Sequence, residues 1–100
     1  MTVAGTGDRQ TLTVDGDTTR VAYVGPIRVN LSNDFGSGTA KIQATDPTGT
    51  PIDVGTDTFT AAADKAVNFP AGETNVVSVN LAGSTSPDLD VWIQGNRLGQ

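Results

Sequence analysis

The sequence predicts an all-β fold, an antiparallel β-sandwich of about eight short strands. Three observations predict it. Apolar and polar residues alternate in several short runs, most plainly in Leu89-Asp90-Val91-Trp92-Ile93-Gln94. Gly, Pro, Asn and Asp punctuate these runs at intervals of roughly ten residues, the spacing of sandwich strands. No run keeps a helical period. An Ig-like and a jelly-roll strand order are both compatible with the pattern.

The chain is 100 residues long, enough for one core and no more. A domain of this size buries roughly two-thirds of its unfolded surface, so it folds alone with little margin. Only 36% of residues are apolar and 5% aromatic, so the core must be thin and built from Val, Ile, Leu and Ala. No repeat of solenoid or propeller length is present.

In chain order, residues 1–9 carry little that anchors them, and they read as a flexible arm or a strand pairing only with a neighbour. Residues 10–14 alternate, Asp15-Gly16-Asp17 supplies hairpin chemistry, and residues 18–24 alternate again. Gly25-Pro26 is expected to end that strand, because proline lacks an N–H donor. Ile27-Arg28-Val29-Asn30-Leu31 forms the next strand, with Arg28 and Asn30 outward. A loop of turn formers from Asn33 to Gly38 leads into residues 39–45, whose Ala40, Ile42 and Ala44 point inward. Asp46-Pro47-Thr48-Gly49 fits a type I turn position by position.

Residues 51–54 read as an edge strand, since Pro51 cannot donate to a ladder. Short strands over 57–61 and 65–69 flank Ala61-Ala62-Ala63-Asp64, a run too short for a stable helix. Pro70-Ala71-Gly72-Glu73 turns the chain into residues 75–81, where Val77, Val79 and Leu81 share a face. A Gly/Ser/Pro-rich connector then reaches residues 89–94, and Gly95 is expected to break that strand. The organisation is an arm (1–9), a sandwich domain (10–95) and a tail (96–100).

The charge balance excludes some partners. Eleven acidic residues against six basic ones give a formal net charge of −5, and the basic residues form no cluster. Nucleic-acid affinity rests largely on Lys and Arg neutralising phosphates, so no nucleic-acid role is expected, and no attachment to an anionic membrane. No apolar stretch reaches membrane-spanning length. The residues after Met1 have neither a basic start nor an apolar run, so no signal peptide is expected, and synthesis in a cytoplasm is the expectation.

Chemistry is sparse. The chain has no histidine and no cysteine, which removes imidazole catalysis, thiolates and typical zinc sites. Two acidic pairs, Asp15/Asp17 and Asp88/Asp90, could bind calcium or act as an acid–base pair. Turn formation and backbone capping explain both pairs more simply. Gly36-Ser37-Gly38-Thr39 lacks the spacing and the Lys-Ser/Thr of a phosphate-binding loop. Neither Lys41 nor Lys65 lies in an apolar setting that would make it a base for a serine nucleophile. The expectation is a protein that is not an enzyme and carries no cofactor and no metal.

Recognition remains. Trp92, the single tryptophan, falls on the polar face of the most regular strand. It is the first candidate contact, with Arg28 and Tyr23 next, because these residue types dominate binding hot spots. The simpler alternative is that Trp92 covers the second sheet or packs with Leu98.

Three stretches carry a family resemblance: Gly25-Pro26-Ile27-Arg28-Val29-Asn30-Leu31, Thr39-Ala40-Lys41-Ile42-Gln43-Ala44, and Ser86-Pro87-Asp88-Leu89-Asp90-Val91-Trp92-Ile93-Gln94-Gly95. With the Thr/Gly/Ala-rich composition around them, they resemble the small β-sandwich capsid decoration (cement) and virion structural proteins of tailed bacteriophages. The resemblance spans residues 12–95. It implies no catalysis and no cofactor, a place in the virion, and binding in many copies to the major capsid protein or another virion protein, with self-association possible. A tail or fibre β-sandwich module binding carbohydrate or another virion protein is the alternative it leaves.

Overall fold

The computed structural model describes residues 8–98. The expected arm therefore lies, over residues 1–7, outside the described residues, as does the end of the tail, residues 99–100. Among the described residues the chain is all β, with eight strands: β1 (Asp8–Leu12), β2 (Gly16–Asp17), β3 (Val21–Asp34), β4 (Thr39–Thr45), β5 (Pro51–Asp53), β6 (Ala63–Val67), β7 (Thr74–Ala82) and β8 (Asp88–Arg97). Every pairing is antiparallel, in the order β1-β8-β3-β7-β4-β5, with β2 added to β7 and β6 added to β3. No helix among the described residues is long and apolar enough to cross a membrane.

The eight strands form one continuous antiparallel sheet that curls into a sandwich-like fold, and the long strand β3 carries the bend. Its first part, Val21 to Val24, pairs with β7, and its second part, Ile27 to Leu31, pairs with β6. Between them the register against β8 shifts, at Gly25-Pro26. Gly25 has φ +76°, where a side chain would be strained, and its N–H bonds to Glu73 O at 2.8 Å. Proline is tolerated at such a bulge, where its missing donor breaks no ladder bond. The expected strand end is thus a corner: the strand turns there and changes leaf. One leaf is β1-β8-β3-β6, the other is the start of β3 with β7, β4 and β5. The described residues span 19 Å along their shortest axis.

The core lies between the leaves. Leu89, Val91 and Ile93 of β8 and Ile27, Val29 and Leu31 of β3 meet Val77, Val79 and Leu81 of β7 and Ala40 and Ile42 of β4 in one buried cluster. These are the inner positions the alternation assigned. Tyr23 belongs to the same cluster at 0% exposure, which corrects its reading as an outward contact. Its ring needs Gly95: a Cβ there would stand 2.9 Å from Ile27 Cγ2 and 3.2 Å from Tyr23 Cδ1. Gly95 therefore does not break β8, which runs on to Arg97, so part of the expected tail is strand. Glycine in a strand marks a close approach here rather than a stop.

Two further expectations change. Asp15-Gly16-Asp17 closes no hairpin, because β1 pairs with β8 while Gly16 and Asp17 pair with Leu81 and Asn80 of β7. Residues 57–61 form no strand beyond a bridge between Phe59 and Ala40. The edge position of β5 and the turn at Asp46 stand as expected, with Gly49 N–H on Asp46 O at 2.9 Å.

Candidate contact face around Trp92

The outer face of the β1-β8-β3-β6 leaf is assembled by register. Arg9, Trp92, Asn30 and Asp64 lie in one row across the four strands. Thr11, Asp90 and Ser32 form the row on one side, and Gln94, Arg28 and Ala66 the row on the other. Period-2 geometry puts all of them opposite the buried Val91 and Ile93. Trp92 thus points away from the second leaf and does not cover it.

Trp92 is half-buried, and the Arg9 guanidinium carbon stands over its ring, 5.0 Å from the centroid. A cation in that position is held by the ring quadrupole. Leu98 is 60% exposed, and its N–H bonds to Ala22 O at 2.9 Å. Arg28 is outward as expected, and it grips Asp64 on the neighbouring strand. Its Nε donates to Asp64 Oδ1 at 2.8 Å and its Nη2 to Oδ2 at 2.5 Å. The hydrogen bonds from Arg28 hold the Asp64 carboxyl below its ordinary value, and the same pairing raises the Arg28 guanidinium. At 61% and 41% side-chain exposure, this pair orients the face more than it stabilises the fold.

The acidic pairs are absorbed by structure. Asp15 accepts the N–H groups of Gly83 and Ser84, at 3.1 and 2.9 Å, and the Ser84 hydroxyl. The bonds from Ser84 push its carboxyl down. Asp17 accepts from Asn80 Nδ2 at 2.7 Å, Asp88 from Asn33 Nδ2 at 3.2 Å, and Asp90 from Thr11 Oγ1 at 2.9 Å. Among the described residues no group of three or more His, Cys, Asp or Glu could hold a metal ion. The face carries one aromatic ring, two arginines, and amides and hydroxyls between them.

Sequence reasoning missed Arg9 and Asp64. Arg9 falls in the expected arm, although it continues the alternation of residues 10–14 by one step. Asp64 gave no local signal, since its pairing with Arg28 spans 36 residues. Comparison with known protein families finds no matching family model, and comparison with curated sequences finds no relative.

Proposed function

We propose that this chain is a non-enzymatic virion structural domain, a capsid decoration protein that docks on an assembled phage head through the outer face around Trp92. The observation that carries the reading is the half-buried Trp92 at the centre of that face, braced by Arg9 and flanked by the Arg28–Asp64 pair. An aromatic anchor with an arginine beside it and a polar surround is the anatomy of a protein–protein hot spot. The sequence resemblance to decoration proteins supplies the partner class, the major capsid protein or another virion protein. Many identical modest contacts on a lattice hold through multivalency, so a small domain with one anchor suffices.

A fibre or tail module binding carbohydrate is the second reading, favoured by the outward tryptophan among polar side chains. Arg9 already occupies one side of the ring, which leaves less aromatic surface for a sugar to stack on. Purified protein mixed with undecorated, expanded heads and sedimented separates the two. The proposal expects saturable co-sedimentation at a fixed ratio to the shell subunit. Absence of binding to heads, together with Trp92 emission shifted by a glycan, overturns it.

A further inference from the structure

Alternation fails at the start of β3, where Val21, Ala22, Tyr23 and Val24 are all apolar. Tyr23 belongs to the core and Val21 packs against it, so Ala22 and Val24 lie on the outer side. A run apolar on both faces is the mark of a strand covered on both.

Pairing builds a row across that outer side. Leu98 donates its N–H to Ala22 O, Ala22 pairs with Val76, Val76 with Thr45, and Thr45 with Pro51. Ala22, Val24 and Val76 are half-buried and Leu98 is 60% exposed. None of the four belongs to the core cluster or to the partly buried residues packed against it. Nearby hydroxyls add nothing polar to the surface: Thr45 Oγ1 is buried, and Ser78, in the next row, is 0% exposed.

Opposite charges flank the row. Arg20, its side chain 40% exposed, stands two residues from Ala22 on one side, and the exposed Glu73 stands three residues from Val76 on the other. Contacts within the chain hold Arg20 loosely, at 3.4 Å to Gly49 O and 3.9 Å to Asp17.

We infer that this row is a self-docking surface, on which a second copy of the chain packs face to face with its strands reversed. A two-fold axis along the row sets Leu98, Ala22 and Val76 of each copy against their equivalents. The two charges lie about 7 and about 10 Å from the row on opposite sides, so Arg20 of each copy comes toward Glu73 of the other, twice. Packing with the strands in the same direction sets Arg20 level with Arg20 instead. The stretch between the charges measures about 17 Å along the strands and the row about 19 Å across them. That is less than half of the roughly 800 Å² that each side of a stable complex buries. The pair is therefore weak and reversible, half-formed at about 0.1–1 mM. Leu98 lies six residues, about 20 Å, along the chain from Trp92, so self-docking does not depend on head binding.

Methyl ¹³C spectra and translational diffusion of the full chain, recorded from about 0.05 to about 3 mM, provide the test. Concentration-dependent shifts are expected at the methyls of Ala22, Val24, Thr45, Val76 and Leu98, with diffusion slowing toward that of a pair. Leu98→Ser, at a side chain the core does not use, should weaken association about tenfold. Arg20→Glu should weaken it by a similar factor, and Arg20→Glu combined with Glu73→Arg should restore it. Far-ultraviolet circular dichroism checks that each variant is folded. A chain that stays monomeric at about 3 mM overturns the second copy as the occupant. Association unaltered in Leu98→Ser overturns the row, and failure of the double exchange to rescue overturns the reversed-strand packing. A monomeric chain whose Leu98→Ser variant loses head binding assigns the row to the shell protein and overturns self-docking.

Discussion

The two faces of β8 should respond to substitution in opposite ways, and Leu89→Ala is the sharper probe. Leu89 is 0% exposed, lies across from Leu12 of β1 and Asn33 of β3, and belongs to the core cluster. Truncation removes its transfer free energy and leaves a cavity that a ladder-bonded strand cannot collapse to fill. The expected loss is about 2–5 kcal/mol. A domain of this length moves its thermal midpoint by about 4–8 °C per kcal/mol. A loss of about 3 kcal/mol therefore lowers the midpoint by about 12–24 °C. Asp90→Asn, one position along and on the outer face, disturbs a single exposed hydrogen bond with Thr11 and should stay within about 1 kcal/mol. Thermal unfolding followed by far-ultraviolet circular dichroism reads both. Equal midpoints for Leu89→Ala and the parent, or a larger loss for Asp90→Asn, would refute the assignment of faces.

Other expectations come from turns and charges. Gly36 has φ +60°, and a Cβ there would sit 2.6 Å from Thr85 O, whereas Gly49 at φ +88° has open space around it. Gly36→Ala should therefore cost more than Gly49→Ala, which carries only the backbone strain of about 1 kcal/mol; equal midpoints would contradict the close packing of the two loops. Arg28→Ala should cost less than about 1 kcal/mol, because the pair it breaks is exposed; a double-mutant cycle with Asp64→Asn measures the coupling. The carboxyls of Asp15, Asp46, Asp53 and Asp64 all lie below their ordinary value of 3.8 when folded. The unfolded chain then binds protons first, so their contribution is complete above that value and fades as pH falls through the lower folded values. Midpoints should hold steady from pH 7 to about 5 and fall below about pH 4, with a shallower fall in Asp15→Asn; a midpoint that rises on acidification would contradict these shifts.

Much of the fold was legible because it is written in period-2 alternation. Residues 27–31, 77–81 and 89–93 each carry a clean inner face, and those faces became the core. The type I turn at Asp46 was legible because its bonds are local. Pairing partners were not. Asp15-Gly16-Asp17 is a strong hairpin signal, yet its carboxylates bond to Ser84 and Asn80, more than sixty residues away in sequence. Gly25-Pro26 reads as a stop because both residues disfavour a regular ladder, and a corner uses the same property. The outward reading of Tyr23 fails because the alternation read over residues 18–24 does not extend through Val21-Ala22-Tyr23-Val24, where every residue is apolar and parity gives no face. The contact face was half legible: Trp92 and Arg28 stood out by type and parity. Arg9 lay in a segment whose strand character comes from pairing with a distant partner, at Trp92.

The docking role of Trp92 is tested most directly by comparing the parent with Trp92→Thr in binding to undecorated heads, since threonine keeps the strand preference while removing the ring. The account predicts a binding constant at least about tenfold weaker, as for the loss of a hot-spot side chain, with the thermal midpoint lowered only modestly. Undiminished binding by Trp92→Thr would contradict it.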